Sequence, residues 1–178
     1  MTIIKFKNFI NLTDTEKLLV LRWRNSDRVR LKMNNNEIIN LENHMRWIAN
    51  LQKVSDSLYF LFEVDTKPVG VFDYINCTTK TCECGSYIGD EEYKGYGIIL
   101  NYYGFEYAFK NLGVDRINIS VLKSNKRVYQ MHKMIFNACD DGDDENNYHL
   151  YLDKNNFLNV SNKILEYFNN IASVKWDV

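Results

Sequence analysis

The sequence predicts a mixed α/β (α+β) fold in one domain spanning residues 1–178, and three observations predict it. Leu58–Val64, Val69–Ile75 and Thr81–Ile88 are consecutive runs rich in β-branched and aromatic residues, the pattern of an antiparallel meander. A glycine-bearing loop, Asp90–Gly97, leads into a helical repeat that a further strand pattern, Arg116–Leu122, follows. Strand, loop, helix and strand in that order make a crossover, and helices must then flank the sheet. With 178 residues, the chain can bury one substantial core and is short for two.

Each element has a local signal. Thr13-Asp-Thr-Glu16 is a capping box ahead of a first helix, since hydroxyl and carboxylate satisfy free amides of the opening turn. Asn40 can cap a second helix whose apolar stripe is Leu41, Met45, Ile48 and Leu51, with His44 beside it. Asp65-Thr-Lys-Pro68 turns the first hairpin, and Asn76–Lys80 leads to the third strand. Ile98–Lys110 reads as an amphipathic helix with Ile98, Tyr102, Phe105 and Phe109 on its apolar side, stopped near Gly113. Ser124 or Asn125 can cap a short helix through Met134, Tyr148–Leu152 closes as a late strand, and Ser161–Ile171 is read as a last helix.

Composition excludes several function classes. Lys and Arg total 22 against 23 Asp and Glu, a net charge of -1, so no basic footprint points to nucleic acid or an anionic membrane. No apolar run approaches the ~20 residues of a membrane span. The opening Met1-Thr-Ile-Ile-Lys-Phe-Lys7 lacks the apolar region of a secretory signal, so a cytoplasmic location is expected. Cys77, Cys82 and Cys84 crowd one stretch while Cys139 stands apart, which is neither a disulfide framework nor a paired zinc pattern. No metal is expected. Asp140-Asp-Gly-Asp-Asp-Glu145 has calcium-loop composition without the alternating ligands of an EF-hand, and reads as a solvated hairpin turn.

Chemistry concentrates in Glu92-Tyr-Lys-Gly95-Tyr-Gly97. Between a strand and a helix, such glycines let backbone amides approach an anion at the positive end of the helix, most naturally a pyrophosphate. Neither a GxGxxG dinucleotide fingerprint nor a Gly-Lys-Ser/Thr phosphate loop is present.

The order strand, [Gln/Arg]-x-x-Gly-x-[Gly/Ala], helix, strand and Asn-led short helix resembles the GNAT acetyltransferases over most of the chain. The resemblance implies a mostly antiparallel twisted sheet splayed between the strand before the loop and the strand after the helix. It implies acetyl-CoA as cosubstrate, its pyrophosphate on the amides of Lys94, Gly95, Tyr96, Gly97 and Ile98, its pantetheine arm along Tyr87 and Ile88, and Asn125 on the cofactor side. Glu92 departs from the usual Gln or Arg, and a carboxylate cannot donate to phosphate. Trp23-Arg-Asn25 with Met33, and Glu42-Asn-His44-Met-Arg-Trp47, resemble the branch that holds ribosomal-protein and aminosugar acetyltransferases. Asn76–Gly85 and Tyr148–Leu152 narrow this to enzymes acting on a UDP-linked 4-amino-4,6-dideoxy sugar in a bacterial surface-sugar pathway.

By that resemblance Arg24 and His44 face the acceptor's nucleotide phosphates, Met33 helps wall the sugar pocket, and Asn25 belongs to the same substrate-binding set. Acyl transfer to an amine also needs a proton acceptor, an oxyanion donor and a proton for the departing thiolate. Glu83 and Asp73 are the candidates for the first, acting directly or through water. The backbone amide near Ile88 serves the second. For the third, the family places a Tyr seven residues after the helix Asn, where this chain has His132, and Tyr129 stands four residues after Asn125. Other acceptors stay open: a protein N-terminus, a polyamine or an antibiotic amine. So does a CoA-binding regulatory module without catalysis, and so does a homodimer, because no residue pattern here reads out an oligomeric state.

Overall fold

A computed structural model describes residues 1–168 and 170–178. One sheet of eight strands organises it: β1 (Thr2–Asn8), β2 (Leu58–Val64), β3 (Lys67–Ile75), β4 (Thr81–Ile88), β5 (Arg116–Leu122), β6 (Cys139–Asp143), β7 (Asn147–Asp153) and β8 (Ile171–Asp177). Their order across the sheet is β6-β7-β5-β4-β3-β2-β1-β8. The pairs β4–β5 and β1–β8 are parallel and the other five are antiparallel, so the mixed α/β, mostly antiparallel expectation holds.

The helices are α1 (Asp14–Asn25), α2 (Asp27–Arg30), α3 (Leu41–Leu51), α4 (Gly97–Tyr107), α5 (Lys126–Met134) and α6 (Lys154–Glu166). The Thr13–Glu16 capping box forms, and Asn40 accepts from the Asn43 amide at the start of α3. In the first hairpin Asp65 and Thr66 both take left-handed φ, 49° and 70°, as a two-residue turn matched to strand twist requires.

Several elements depart from the sequence reading. Helix α6 begins at Lys154, seven residues before Ser161, because Asp153 at the end of β7 also caps it through the Asn156 amide. Ile171, read as helical, instead opens β8 and pairs in parallel with β1. Helix α4 carries no single apolar stripe: Ile99 through Phe105 and Tyr107 are all buried, because the helix runs between the sheet and α6. The acidic run is also less turn than expected, since Cys139–Asp143 pairs with β7 as a strand.

Strand alternation divides the chemistry between two faces. Phe60, Phe62, Phe72, Tyr74, Cys82, Ile117, Ile119, Leu150 and Leu152 point into the large core against α4 and α6. Each fully buried side chain of this kind contributes about 1.5–3 kcal/mol. Helix α4 sits so close to β3 that a Cβ on Gly104 would lie 2.3 Å from the Phe72 ring, and Tyr74 donates to the Gly104 carbonyl at 2.7 Å. On the opposite face a smaller core joins Leu61 and Val71 to Val20 of α1, Ile48 and Leu51 of α3 and Phe9. That cover lies over β2 and β3, and β4, β5 and β7 carry polar residues on this face instead.

Candidate functional site

The sheet opens at its centre. Strands β4 and β5 pair only from Thr81–Arg116 to Glu83–Asn118. Beyond that point β4 continues to Ile88 along β3, and β5 continues to Leu122 along β7. Cys84–Ile88 and Ile119–Leu122 therefore face each other across a wedge, with backbone donors and acceptors that no strand pair joins. An extended polar arm inserted there would complete the ladder.

At the wide end of the wedge stands the glycine loop. It is a tight 3-10 turn, Glu91–Tyr96, capped by Asp90, whose carboxylate accepts from the Glu92 amide at 3.0 Å. Side chains cap α1, α3 and α6, but none caps α4, where Tyr96 occupies the N-cap. A Cβ built on Gly95 or Gly97 meets nothing within 4 Å, and Gly97 has ordinary helical angles of -58° and -35°. Neither backbone conformation nor a neighbouring atom demands glycine at these positions, so the space they keep open suits a ligand phosphate. Glu92, the departure noted in the sequence, is paired with Lys67 at 2.9 Å, and Lys67 also meets Asp90 at 3.2 Å and lies over the Tyr93 ring. Lys94 and Arg28 pair with Glu91. The loop's side chains thus hold it to the β2–β3 turn and to α2, leaving the anion to the backbone. Asn101 braces the arrangement from below, donating to the Gly97 carbonyl at 2.8 Å while accepting from Ser86 of β4.

Tyr87, Gly85 and Glu83 share one face of β4 with Val71 and Asp73 of β3. The Asp73 carboxylate lies over Gly85, where a Cβ would sit 2.8 Å from Oδ2. Loss of hydration in this wall pushes Asp73 up to about 7, opposed by its hydrogen bond from the Gly85 amide. Burial likewise pushes the neighbouring Tyr59 up to about 12, with Asp73 adding to it. Glu83 accepts from Asn76 at 2.9 Å. The Ile88 carbonyl accepts from Arg28 at 2.9 Å, and Gly89 accepts from the same guanidinium. Gly89 can only be glycine, because a Cβ would stand 2.0 Å from the Trp23 indole.

The residues assigned to the acceptor separate into two groups. Arg24 is drawn toward the cleft wall: one nitrogen donates to the Asn35 carbonyl at 2.5 Å, while Nη1 is buried without a partner. Burial lowers its pKa, against the pull of Tyr87. Asn25 instead clamps the following loop, exchanging two hydrogen bonds with the Ile39 backbone at 2.8 and 2.9 Å. Met33 lies half-buried within the loop that this clamp closes. His44 is 2% exposed, and its Nε2–H donates to the Lys17 carbonyl of α1 at 2.9 Å; burial lowers its pKa. It ties α3 to α1.

Helix α5 separates the two thiolate-side candidates. His132 is 4% exposed, packed on the rings of Phe105 and Phe136, with Nδ1 unpartnered. Desolvation drops it to about 4, so it is neutral at physiological pH. Tyr129 is half-buried, stacks against Tyr148, and donates its hydroxyl to Asp140 at 2.8 Å. Asn125 holds the N-cap of α5 without using its side chain there. Among the described residues no three His, Cys, Asp or Glu side chains converge as a metal-ligand set.

Sequence reasoning missed the floor of the cleft. A cavity of about 670 Å³ is lined by Thr81 and Glu83 of β4, Arg116, Asn118 and Ser120 of β5, Asn147 and His149 of β7, and Asn34, Asp141 and Asp144 from the rim. Their only sequence signal is polar residues alternating with apolar ones in Arg116–Leu122 and Asn147–Leu152, which a solvent-facing strand shows equally.

The chain is 35% identical over 149 residues to an acetyltransferase, PseH, of Campylobacter jejuni, spanning 84% of this chain and 93% of that protein. The crystal structure of C. jejuni N-acetyltransferase PseH in complex with acetyl coenzyme A superposes with a TM-score of 0.72 at 32% identity, covering 85% of this chain and 99% of that one. Apo FdhC, a nucleotide-linked sugar GNAT, superposes with a TM-score of 0.73 at 20% identity over 93% of each chain, a likeness of fold. No family model matches the sequence.

Proposed function

The chain belongs to the PseH group of GNAT N-acetyltransferases, and from that membership we propose that it transfers the acetyl group of acetyl-CoA to the 4-amine of a UDP-linked 4-amino-4,6-dideoxy sugar. The observation that carries the cofactor half is the pairing of Gly95 and Gly97, each with open space where a Cβ would stand, with the β4–β5 wedge. Acetyl-CoA supplies an activated acyl group as a thioester. The amides of Lys94 through Ile98 hold its pyrophosphate, and the backbone at Tyr87 and Ile88 pairs with its extended arm. Asn125, with a side chain free at the N-cap of α5, lies on the same cofactor path.

The acceptor half rests on Arg24. A buried guanidinium nitrogen without a partner is costly, and a phosphate oxygen of a nucleotide satisfies it with a charge-assisted bond. Met33 walls the sugar side, and Asn25 and His44 support the acceptor by holding the 31–40 loop and α3 in place. The acceptor is read as a small molecule, since a net charge of -1 gives no basic footprint for nucleic acid. Among the described residues no helix is long and apolar enough to cross a membrane.

Attack is direct. The bond with Cys82 and then burial push Cys77 up, the lowering bond from Cys77 at Cys82 is outweighed by the Cys84 bond and burial, and burial pushes Cys84 up, all away from the thiolate form a nucleophile needs. The incoming ammonium must lose a proton, and among the carboxylates the cleft face offers Glu83 and Asp73 as acceptors, directly or through water. The amide near Ile88 faces the developing oxyanion. Of the two groups on α5, His132 is neutral and enclosed by phenyl rings, and the Tyr129 hydroxyl is committed to Asp140, a bond that raises its pKa, so either must give up its present packing or partner to protonate the departing thiolate.

Mixing purified protein with acetyl-CoA and a panel of UDP-amino sugars, while following thiol release, tests the reading. Turnover with a 4-amino sugar supports it. Turnover only with peptide or polyamine amines moves the acceptor to one of those classes, and binding of acetyl-CoA without any turnover moves the protein to a CoA-binding regulator.

A further inference from the structure

A histidine lines the cleft on the far side of β5 from Glu83 and Asp73. His149 stands on β7 opposite Ser120, two residues beyond Asn118, where β4 and β5 last pair. It therefore borders the narrow end of the wedge and lines the cavity together with Glu83. Its Nε2 lies 2.9 Å from Asp144 Oδ2. An ionised carboxylate can only accept, so Nε2 carries the hydrogen and Nδ1 carries the lone pair of the neutral ring.

Asp144 is itself fixed. It accepts from the Asn146 and Asn147 amides at 2.8 and 2.7 Å at the β6–β7 turn. These bonds and His149 hold it at about 2, firmly ionised. The other charged groups facing this corner are engaged elsewhere. Arg116 on β5 pairs with Asp141 of β6, donates to Asn118, and lies over the Tyr151 ring. Glu83 on β4 accepts from Asn76. Asp140 and Asp143 of β6 pair with Lys133 and Lys123.

A second observation points to what enters. Asn147, two residues before His149 on the same face of β7, also lines the cavity, and its Oδ1 is buried without a hydrogen-bond partner. A buried acceptor left without a partner costs the desolvation it has undergone. Two acceptor atoms on one face, the Asn147 oxygen and His149 Nδ1, call for a group with several N–H or O–H donors.

We propose that this corner receives the ammonium of the acceptor, and that His149, oriented by Asp144, is the base that deprotonates it. One proton passes from the ammonium to His149 Nδ1, leaving the amine lone pair. That pair forms the C–N bond at the thioester carbonyl, and the C–S bond breaks with its electrons on sulfur. The second N–H proton ends on the thiolate, and His149 returns the first to solvent, which balances the reaction at one proton released. Asp144 is a positioning residue and His149 the catalytic one. Glu83 and Asp73 then shape the field of the cleft without taking the proton first.

This rests on the acetyltransferase reading, and one set of assays separates the two. With a UDP-amino sugar that the wild type acetylates, His149→Gln lowers kcat about 10²–10³-fold at neutral pH, while acetyl-CoA affinity and thermal melting stay at wild-type values. The deficit shrinks as pH rises past the point where the free amine needs no base, and added imidazole restores part of the activity of His149→Ala. Asp144→Asn lowers kcat about tenfold with KM unchanged. Full activity in His149→Gln, or a collapse in Glu83→Gln without one in His149→Gln, overturns the inference and leaves the acetyltransferase standing. A wild type inactive on every amino sugar overturns the sugar-acceptor reading and, with it, the ammonium site proposed here.

Discussion

Asp73→Asn turns the most perturbed carboxylate of the cleft wall into a measurement. Its pKa rises from 3.8 to about 7 because the wall strips its hydration, with only the Gly85 amide favouring the charge. Ionising it in the folded protein is therefore harder than in the unfolded chain. Its stabilising contribution is full below pH 4 and is lost as pH climbs through 7. The span is about three pH units, and each is worth ~1.4 kcal/mol, so the wild type loses up to ~4 kcal/mol across that window. The side chain keeps some exposure, which makes this figure a ceiling. Asn retains an acceptor for the Gly85 amide and cannot ionise. Urea unfolding of both proteins from pH 4 to 8.5 should give a difference that grows in favour of the variant by several kcal/mol and levels off above pH 8. His44 and Glu63 also titrate, but they do so in both proteins and cancel. A difference flat in pH would mean that Asp73 is hydrated in the fold and that the wall is open to water.

Gly95→Ala and Gly97→Ala should leave the melting temperature within about 2 °C, since nothing lies within 4 Å of the new methyl, yet weaken acetyl-CoA binding at least tenfold by calorimetry. Gly104→Ala, whose methyl would meet the Phe72 ring at 2.3 Å, should instead cost about 1–3 kcal/mol in denaturant unfolding. His132→Phe should flatten the acid side of the stability profile. The wild-type imidazole, depressed from 6.5 to about 4, favours folding above pH 6.5 and loses that contribution as pH falls toward 4; a slope as steep in the variant as in the wild type would refute the apolar placement. Glu92→Gln should change stability by under ~1 kcal/mol, because its ion pair with Lys67 is exposed, and should tighten acetyl-CoA by removing a negative charge beside the loop, read as a lower Kd.

What the sequence disclosed was local. Thr13–Glu16, Asn40 and Asp65-Thr66 act within four residues, and their caps and turn formed as read. Strands β1 and β8 escaped because their partnership joins Thr2 to Ile171, and neither run is patterned strongly enough to declare itself without the other. Trp176 shows what the pairing provides: it stacks on Phe6 at 3.8 Å and on Tyr107 at 4.0 Å, contacts that exist only once the sheet has closed. The glycine loop was legible because its residue types are needed at fixed spacing. The roles of Asn25, His44 and His132 were not, because a polar side chain shows no preference in sequence between a ligand and the Ile39 backbone, the Lys17 carbonyl or a cluster of rings.

The cleft's chemistry is tied to the core by the period of the strands. Ile117, Ile119, Leu150 and Leu152 are buried under α4 and α6, and strand geometry then sends Asn118, Ser120 and His149 to the other face. A slip of one residue between β5 and β7 would bury the imidazole and expose the leucines, so the energy that packs the core also fixes the cleft. The seven paired residues of β5 and β7 make that register rigid on one side of the wedge, and the β2–β3–β4 meander does the same on the other. Between them the β4–β5 ladder stops after three pairs. The opening is therefore held by two stiff walls instead of by a loop, and an arm that pairs with both edges meets an already formed slot. Little ordering accompanies its entry, which favours tight binding from backbone contacts alone.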